Sequence, residues 1–327
     1  MTKNIGKKVF ITRKIPDLAE KMLRENDFDV DVWPRDRAMS RKEIIKRLKK
    51  EKYDAVLCLL TDKMDAKIFD ASPATKIFAN YATGYDNIDV EEAKRRNIAV
   101  TNTPGVSSIA VAEHAFAMML ALTTRLVEGD TFIRKGKYLG WAPMNFVGTD
   151  FTGKTIGLIG VGNIGSQVAR MAYGGFGAKI IYTDIRQNRE VEEKYGAQKC
   201  ESLESLLAQA DMVSLHVPLI DSTYHLINET RLKMMKPTAF LINTSRGPVV
   251  DETALVKALQ NKTIRGAALD VFEFEPRLAF GLAKLSNVIL TPHIASARES
   301  VRREMARLSA QSIIDFFAGK TPENKVN

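Results

Sequence analysis

The chain has 327 residues, enough for two domains of ordinary size. Hydrophobic residues make up 45%, which excludes a disordered or fibrous chain. Lys and Arg exceed Asp and Glu by 48 − 39 = 9, a balance that suits small anions; pairs such as Arg41-Lys42 and Lys46-Arg47 alternate with apolar residues at helical spacing and read as solvated helix faces, not as a nucleic-acid surface.

Strands are expected at Lys8–Thr12, Val30–Trp33, Ala55–Leu60, Lys76–Ala79 and Ile98–Val100. Helices are expected between them at Asp17–Glu25, at Arg41–Lys49 and after Asp89, where Asp89 and Glu92 form a capping box. Ser108 to about Leu126 reads as one long helix, apolar almost all round, which places it between domains or subunits. Gly136–Thr149, with Gly136, Gly140, Trp141, Pro143 and Gly148, reads as an irregular arm. A second series follows: strands Thr155–Ile159, Lys179–Thr183, Met212–His216, Ala239–Asn243, Ala267–Val271 and Val288–Thr291, then a last helix, Arg298–Ala318. This alternation predicts an α/β fold whose parallel sheets are covered on both faces. The apolar stretch Val9-Phe10-Ile11 is too short for a signal peptide, and no run approaches the roughly 20 apolar residues of a membrane span. Cys58 and Cys200 show neither metal spacing nor a disulfide framework, so a soluble, cytoplasmic protein without a metal site is expected.

Ile156-Gly157-Leu158-Ile159 is a short apolar strand that runs into Gly160-x-Gly162-x-x-Gly165 and then into the helical pattern Gln167-Val168-Ala169-Arg170-Met171. In this context the glycines have separate jobs. Gly160 permits the tight turn, Gly162 lets the backbone approach a pyrophosphate, and Gly165 lets the helix pack on the strand, its N-terminus facing the phosphates. Asp184 ends the next strand, 184 − 165 = 19 residues after the third glycine, where an acid bonds the ribose hydroxyls. A carboxylate there repels a 2′-phosphate, so NAD(H) is favoured over NADP(H), with Arg186 acting against that preference. The competing reading of Asp184 is a simple cap on the strand end. A methyltransferase also uses a glycine-rich turn with a later acid, but it has no use for the three residues that follow.

Arg246 stands in Asn243-Thr244-Ser245-Arg246-Gly247, just past an apolar run, at the strand end where open α/β sheets bind ligands. A guanidinium is the planar, always-charged partner of a carboxylate, and it polarises an adjacent ketone. His293 follows the last strand and precedes small residues, a place from which it protonates a developing alkoxide and takes the proton back in reverse. The other histidines read as structural: His114 in the apolar helix, His216 inside a strand, His225 near a helix start. Glu275 is either the partner of the His293 ring or, with Glu273 two residues away, an exposed loop acid. Asp270 either binds a carboxamide or caps a turn.

Four strings together, Thr83-Gly84-Tyr85-Asp86-Asn87-Ile88-Asp89, Asn102-Thr103-Pro104-Gly105, Gly160–Gly165 with Asp184, and the Arg246, Glu275, His293 series, resemble the D-isomer-specific 2-hydroxyacid dehydrogenases over essentially the whole chain. The resemblance implies two Rossmann-like domains. One is a flavodoxin-like substrate domain built from both chain ends, 1–102 plus 296–327. The other is an inserted NAD-binding Rossmann domain, 103–295. The crossovers would fall near Asn102–Val106 and Ile294–Ser296. It also implies a homodimer held by the Rossmann domains, the Ser108–Leu126 helix and the arm, with Trp141 either a wall of a neighbouring active site or dimer packing. By the same resemblance Arg246 binds the substrate carboxylate, His293 with Glu275 is the acid/base pair, and backbone amides near Thr83 and Gly84 meet the carboxylate. The cofactor would lie on Gly160, Gly162, Asn163, Ile164, Gly165, Asp184, Val217, Pro218, Thr244, Asp270 and His293.

Within the family the chain looks most like glyoxylate/hydroxypyruvate reductases, which implies NAD(H)-dependent reduction of a small 2-keto acid to the D-2-hydroxy acid, and the reverse. Ile294-Ala295-Ser296 departs from the aromatic-rich segment of D-lactate dehydrogenases, and Glu275 from the glutamine of formate dehydrogenases. Phosphite dehydrogenases have a similar arm but carry lysine where this chain has Thr83, so phosphite oxidation is the alternative within the class, beside another D-2-hydroxyacid such as D-3-phosphoglycerate. From a different class, an NAD(H)-sensing corepressor shares the fold, and the complete set Arg246, Glu275, His293 argues against it. No nucleic-acid or membrane partner is expected.

Overall fold

The computed structural model describes residues 4–327. The elements in chain order begin with β1 (Lys8–Ile11), α1 (Leu18–Glu25), β2 (Asp29–Val32), α2 (Arg41–Lys50), β3 (Ala55–Leu59), α3 (Ala66–Ala71), β4 (Ile77–Tyr81), α4 (Val90–Arg95) and β5 (Ala99–Thr101). They continue with α5 (Ser108–Thr124), α6 (Leu126–Arg134), β6 (Thr155–Ile159), α7 (Asn163–Phe176), β7 (Lys179–Thr183), α8 (Arg189–Tyr195), β8 (Gln198–Lys199), α9 (Leu203–Gln209) and β9 (Met212–Leu215). The last are α10 (Glu229–Met234), β10 (Phe240–Asn243), α11 (Glu252–Gln260), β11 (Gly266–Leu269), β12 (Val288–Leu290) and α12 (Glu299–Phe317).

Two parallel sheets result, ordered β2-β1-β3-β4-β5 and β12-β11-β10-β9-β6-β7-β8. In the second, successive strand residues feed opposite faces, the period-2 consequence of the pleat. Ile159, Leu215, Leu241 and Leu269 pack with Leu206 of α9, Leu232 of α10 and Leu255 of α11. Leu158, Met212, Ile242 and Ala268 pack with Met118 and Met119 of α5 and Val168 and Ala172 of α7. Burial on both faces is why these strands read as continuous apolar runs. The first sheet carries its own core, with Phe10, Val56, Phe78 and Val100 among the buried residues.

The chain divides into two compact units, one running to Ser107 and resuming at Ala297–Asn327, the other Ser108–Ser296. The expected boundary after residue 102 therefore moves to Ser107. Hydrogen bonds explain the shift. The Thr103 amide donates to Ala82 O at 2.9 Å. The Thr83 hydroxyl donates to Thr103 O at 3.1 Å and lies 3.0 Å from Ser107 Oγ, so 103–107 stays with the first unit.

Other expectations need correction. The helix expected over Ser108–Leu126 stops at Thr124. Arg125 takes a left-handed conformation, φ 55°, and α6 continues at a bend of 66°. The Asp89–Glu92 box is half made: Asp89 accepts from the Glu92 amide at 2.9 Å, but the Glu92 carboxylate holds Arg96 at 2.7 Å. The reciprocal box forms instead at Ser40 and Glu43 of α2. Helix α3 and strand β8 had no expected counterpart; each is short and lacks a periodic signal. Among the described residues no single helix is long and apolar enough to cross a membrane.

Candidate active site

The second sheet presents the C-terminal ends of β6, β7, β9, β10, β11 and β12, and the expected residues from Gly160 to His293 lie on the loops that leave those ends or, for Asn163, Ile164 and Gly165, in the first turn of α7. Gly160, φ 90°, turns the chain out of β6, and a Cβ there would come within 2.9 Å of His216 O. A Cβ on Gly165 would sit 2.1 Å from Gly160 O, so α7 approaches the turn only because Gly165 has no side chain. A Cβ on Gly162 would meet no protein atom within 4 Å, so the space above it is open to a ligand. Gly162 is the N-cap of α7 and supplies no side-chain cap; with Asn163 and Ile164 following, the first-turn amides remain available to an anion.

Asp184, one residue past β7, accepts from the Val161 amide at 2.8 Å through Oδ2 and from the Arg186 amide at 3.1 Å through Oδ1. It therefore does cap the strand end, while a cavity lined by Val161, Gly162, Asp184, Arg186, Asn188 and Arg189 lies beside it. Two buried polar groups nearby have no protein partner: Thr244 Oγ1, one residue past β10, and both ring nitrogens of His216. His216 lies just beyond β9, not inside a strand, because pairing with β6 ends at Leu215. Burial pushes its pKa down to about 4. Val217 and Pro218 follow on the same loop, Val217 half-buried and Pro218 exposed. Open space over Gly162, uncapped α7 amides, an acid at the β7 end and an orphaned Thr244 hydroxyl all fit a bound dinucleotide.

His293 and Glu275 meet. His293 Nδ1 lies 3.1 Å from Glu275 Oε2, and the other carboxylate oxygen accepts from the Phe272 amide at 3.0 Å. Burial pushes the Glu275 carboxyl up, but the His293 contact, the Phe272 amide and the Arg246 charge outweigh it, so it titrates below the usual carboxylate range. The ring-partner reading of Glu275 thus has a direct contact behind it. Arg246 leaves β10 on the neighbouring loop; its Nη1 donates to Ser245 O at 2.8 Å, and its own carbonyl accepts from Asn243 Nδ2 at 2.9 Å. Gly247 brings the two loops together: a Cβ there would fall 1.9 Å from the Phe272 carbonyl carbon.

Asp270, fully buried, caps the turn that carries His293. Its carboxylate accepts from Thr291 Oγ1 at 2.6 Å and from the Ile294 and Ala295 amides at 2.8 Å each. Burial raises its pKa, and these donors with His114 outweigh that and lower it. His114, on α5, reaches Thr291 Oγ1 at 3.1 Å, the structural role expected of it. His225 precedes α10 but pairs with Glu273 at 2.7 Å across the sheet edge, a contact no local sequence pattern announces. In the first unit the loop after β4 carries Thr83 and Gly84; Asn80 Nδ2 donates to Gly84 O at 3.0 Å, and Asn102 Nδ2 to Thr83 O at 2.7 Å.

Residues 116–295 match the family model of the D-isomer specific 2-hydroxyacid dehydrogenase NAD binding domain. The chain belongs to the D-isomer specific 2-hydroxyacid dehydrogenases. As a member it is a nicotinamide-dependent oxidoreductase, and the match covers the unit that holds Arg246, Glu275 and His293. The dehydrogenase is 48% identical over 324 residues to a glyoxylate reductase from Thermococcus litoralis, covering 98% of this chain and 96% of that one. Among solved structures it resembles the TT0316 protein of Thermus thermophilus, at 37% identity and TM-score 0.91, covering 98% and 100% of the two chains. It also resembles an NADPH-dependent glyoxylate/hydroxypyruvate reductase from Sinorhizobium meliloti, at 30% identity and TM-score 0.82, covering 98% and 97%.

Proposed function

We propose that this dehydrogenase reduces a small 2-keto acid, glyoxylate or hydroxypyruvate first, to the D-2-hydroxy acid with NADH, and catalyses the reverse. The observation that carries the reading is the 3.1 Å contact of His293 Nδ1 with Glu275, on a loop packed against that of Arg246. The glyoxylate reductase from Thermococcus litoralis and the glyoxylate/hydroxypyruvate reductase from Sinorhizobium meliloti support the choice of acid.

Arg246 takes the substrate carboxylate through its planar fork and polarises the neighbouring ketone. Glu275 holds the Nδ1–H tautomer, so Nε2 is the nitrogen that gives the proton to the forming alkoxide. A reduced nicotinamide held by the residues of this unit would supply the hydride. The Thr83 hydroxyl is engaged with Thr103 and Ser107, which argues against a lysine-like role in phosphite binding. Gly160, Gly162, Asn163, Ile164 and Gly165 would hold the pyrophosphate, Asp184 the ribose, and Val217, Pro218 and Thr244 the nicotinamide side. Asp184 favours NADH over NADPH, with Arg186 and Arg189 on the same cavity limiting that preference. A homodimer working in the cytoplasm completes the reading; its support is the apolar arm and two free cysteines.

The test is loss of reduced-nicotinamide absorbance with glyoxylate, hydroxypyruvate and pyruvate, repeated with NADPH, beside NAD reduction by phosphite. Rapid NADH oxidation by glyoxylate or hydroxypyruvate is expected. His293→Ala should lower kcat by about 10³-fold while NADH still binds. Activity on phosphite alone overturns the substrate, and turnover retained in His293→Ala overturns the acid/base assignment.

A further inference from the structure

The turn that carries Glu275 is held by residues outside the reacting set. Phe272–Ala279 leaves β11 and doubles back: Phe274 and Arg277 form an antiparallel bridge, the Arg277 amide donating to Phe274 O at 2.8 Å. Glu252, the first residue of α11 and only 1% exposed, grips both legs of this turn. Its Oε1 accepts from the Glu273 amide at 2.7 Å and its Oε2 from the Ala279 amide at 3.3 Å. Glu273 returns the contact, its Oε2 accepting from the Glu252 amide at 3.2 Å. The other Glu273 oxygen faces His225 Nε2 at 2.7 Å. His225 also donates its backbone amide to Pro248 O at 2.8 Å, two residues past Arg246.

These contacts close a ring: Arg246 loop, His225, Glu273, Glu252, Glu275 turn, and back through the close approach at Gly247. Placing two carboxylates this close at a buried helix start is costly unless their oxygens are satisfied. Burial, with the charges of Glu273 and Glu275, pushes the Glu252 carboxyl up, and the Glu273 and Ala279 amides oppose that. An apolar contact would hold the turn against the sheet as firmly, but it would not fix its direction; paired amide–carboxylate bonds do.

We propose that Glu252, Glu273 and His225 are positioning residues for the Glu275–His293 pair: they fix the turn that aims Glu275 Oε2 at His293 Nδ1 and keep it in register with Arg246. This rests on reading Glu275 as the His293 partner.

The experiment is the pH profile of kcat/KM for keto-acid reduction in the full-length enzyme, with NADH affinity and Tm measured beside it. It compares wild type with Glu275→Gln, His225→Asn, His225→Gln and Glu252→Gln. Asn tolerates the left-handed backbone at position 225, φ 47°, and keeps the amide to Pro248, but it falls short of Glu273. His225→Asn should lower kcat roughly tenfold. It should also move the alkaline limb to lower pH, in the direction of Glu275→Gln, with NADH affinity at the wild-type value and a Tm lowered by the unpaired Glu273 oxygen. His225→Gln, whose amide nitrogen reaches where Nε2 stood, should restore both. Glu252→Gln, which sets an NH2 against a backbone amide, should reproduce the shift with a lower Tm. A wild-type profile in both His225→Asn and Glu252→Gln, while Glu275→Gln shifts, overturns the positioning role and leaves the pairing intact. An unmoved profile in Glu275→Gln sinks the pairing itself, and the proposal with it.

Discussion

His293 holds a left-handed backbone, φ 53°, which costs a residue with a Cβ on the order of 1 kcal/mol or more. Its amide is fixed by Asp270 O at 2.9 Å and Thr291 O at 3.0 Å, so the neighbouring strand ends, not local preference, decide where the ring goes. His216 is the other histidine whose surroundings dictate its chemistry. Both of its nitrogens are shielded and unpartnered, and its pKa falls from the usual 6.5 to about 4. Between those values the unfolded chain binds a proton that the folded chain refuses, so stability drops as pH falls through this window. The expected slope is roughly 1.4 kcal/mol per pH unit for the single proton. Chemical denaturation across the window checks this: His216→Asn should flatten the dependence by one proton relative to wild type, and parallel curves would refute it. Arg246 and His293 stood out because each lies just past an apolar run at a strand end, whereas Glu275, with Glu273 two residues away, was singled out only by the family resemblance. His225 and Glu252 did not stand out, because their partner Glu273 lies 48 and 21 residues away.

At the scale of elements, the site is made by short strands and the turns that leave them. Several strands stop one or two residues earlier than the apolar pattern suggests, which frees His216, Asp270 and Thr291 for the loops. The turn after β12 depends on Asp270, whose carboxylate serves one hydroxyl and two amides. Asp270→Ala leaves the Ile294 amide and the buried Ala295 amide without their carboxylate partner, while Thr291 keeps His114. It should cost about 3 kcal/mol in denaturant unfolding and speed hydrogen exchange at the Ile294 and Ala295 amides. Exchange at wild-type rates would show that other contacts hold the turn. The break between α5 and α6 shows the limit of pattern reading: the apolar stripe runs on, but Arg125 is held in the left-handed region while its guanidinium pairs with Glu128 and lies over Phe146.

For the whole molecule, the arm and α6 are the conspicuous unpartnered apolar surface. Leu139 is 98% exposed, Trp141 83% and Met144 80%, and α6 buries none of its residues. Contiguous apolar exposure of this kind marks an interaction site. With the proposed homodimer, Leu139→Glu combined with Trp141→Glu should shift the mass measured by light scattering from dimer toward monomer. An unchanged dimer would place the interface elsewhere. Exposed Trp141 leaves both sequence readings of that residue dependent on a second subunit.

The sequence by itself determined the α/β class, the glycine turn with its acid, and the ordered arginine, glutamate and histidine. Those features are local: period-2 burial, backbone freedom at glycine, and residue chemistry at strand ends. Only the tertiary structure decided which neighbour each group meets. It set Glu275 rather than Glu273 against His293, spent Asp270 on a turn, kept residues 103–107 with the first unit, and joined His225 to the Glu275 turn. Hydrogen bonds between residues far apart in the chain leave no periodic trace, because the pairing is a property of packed backbone and not of spacing.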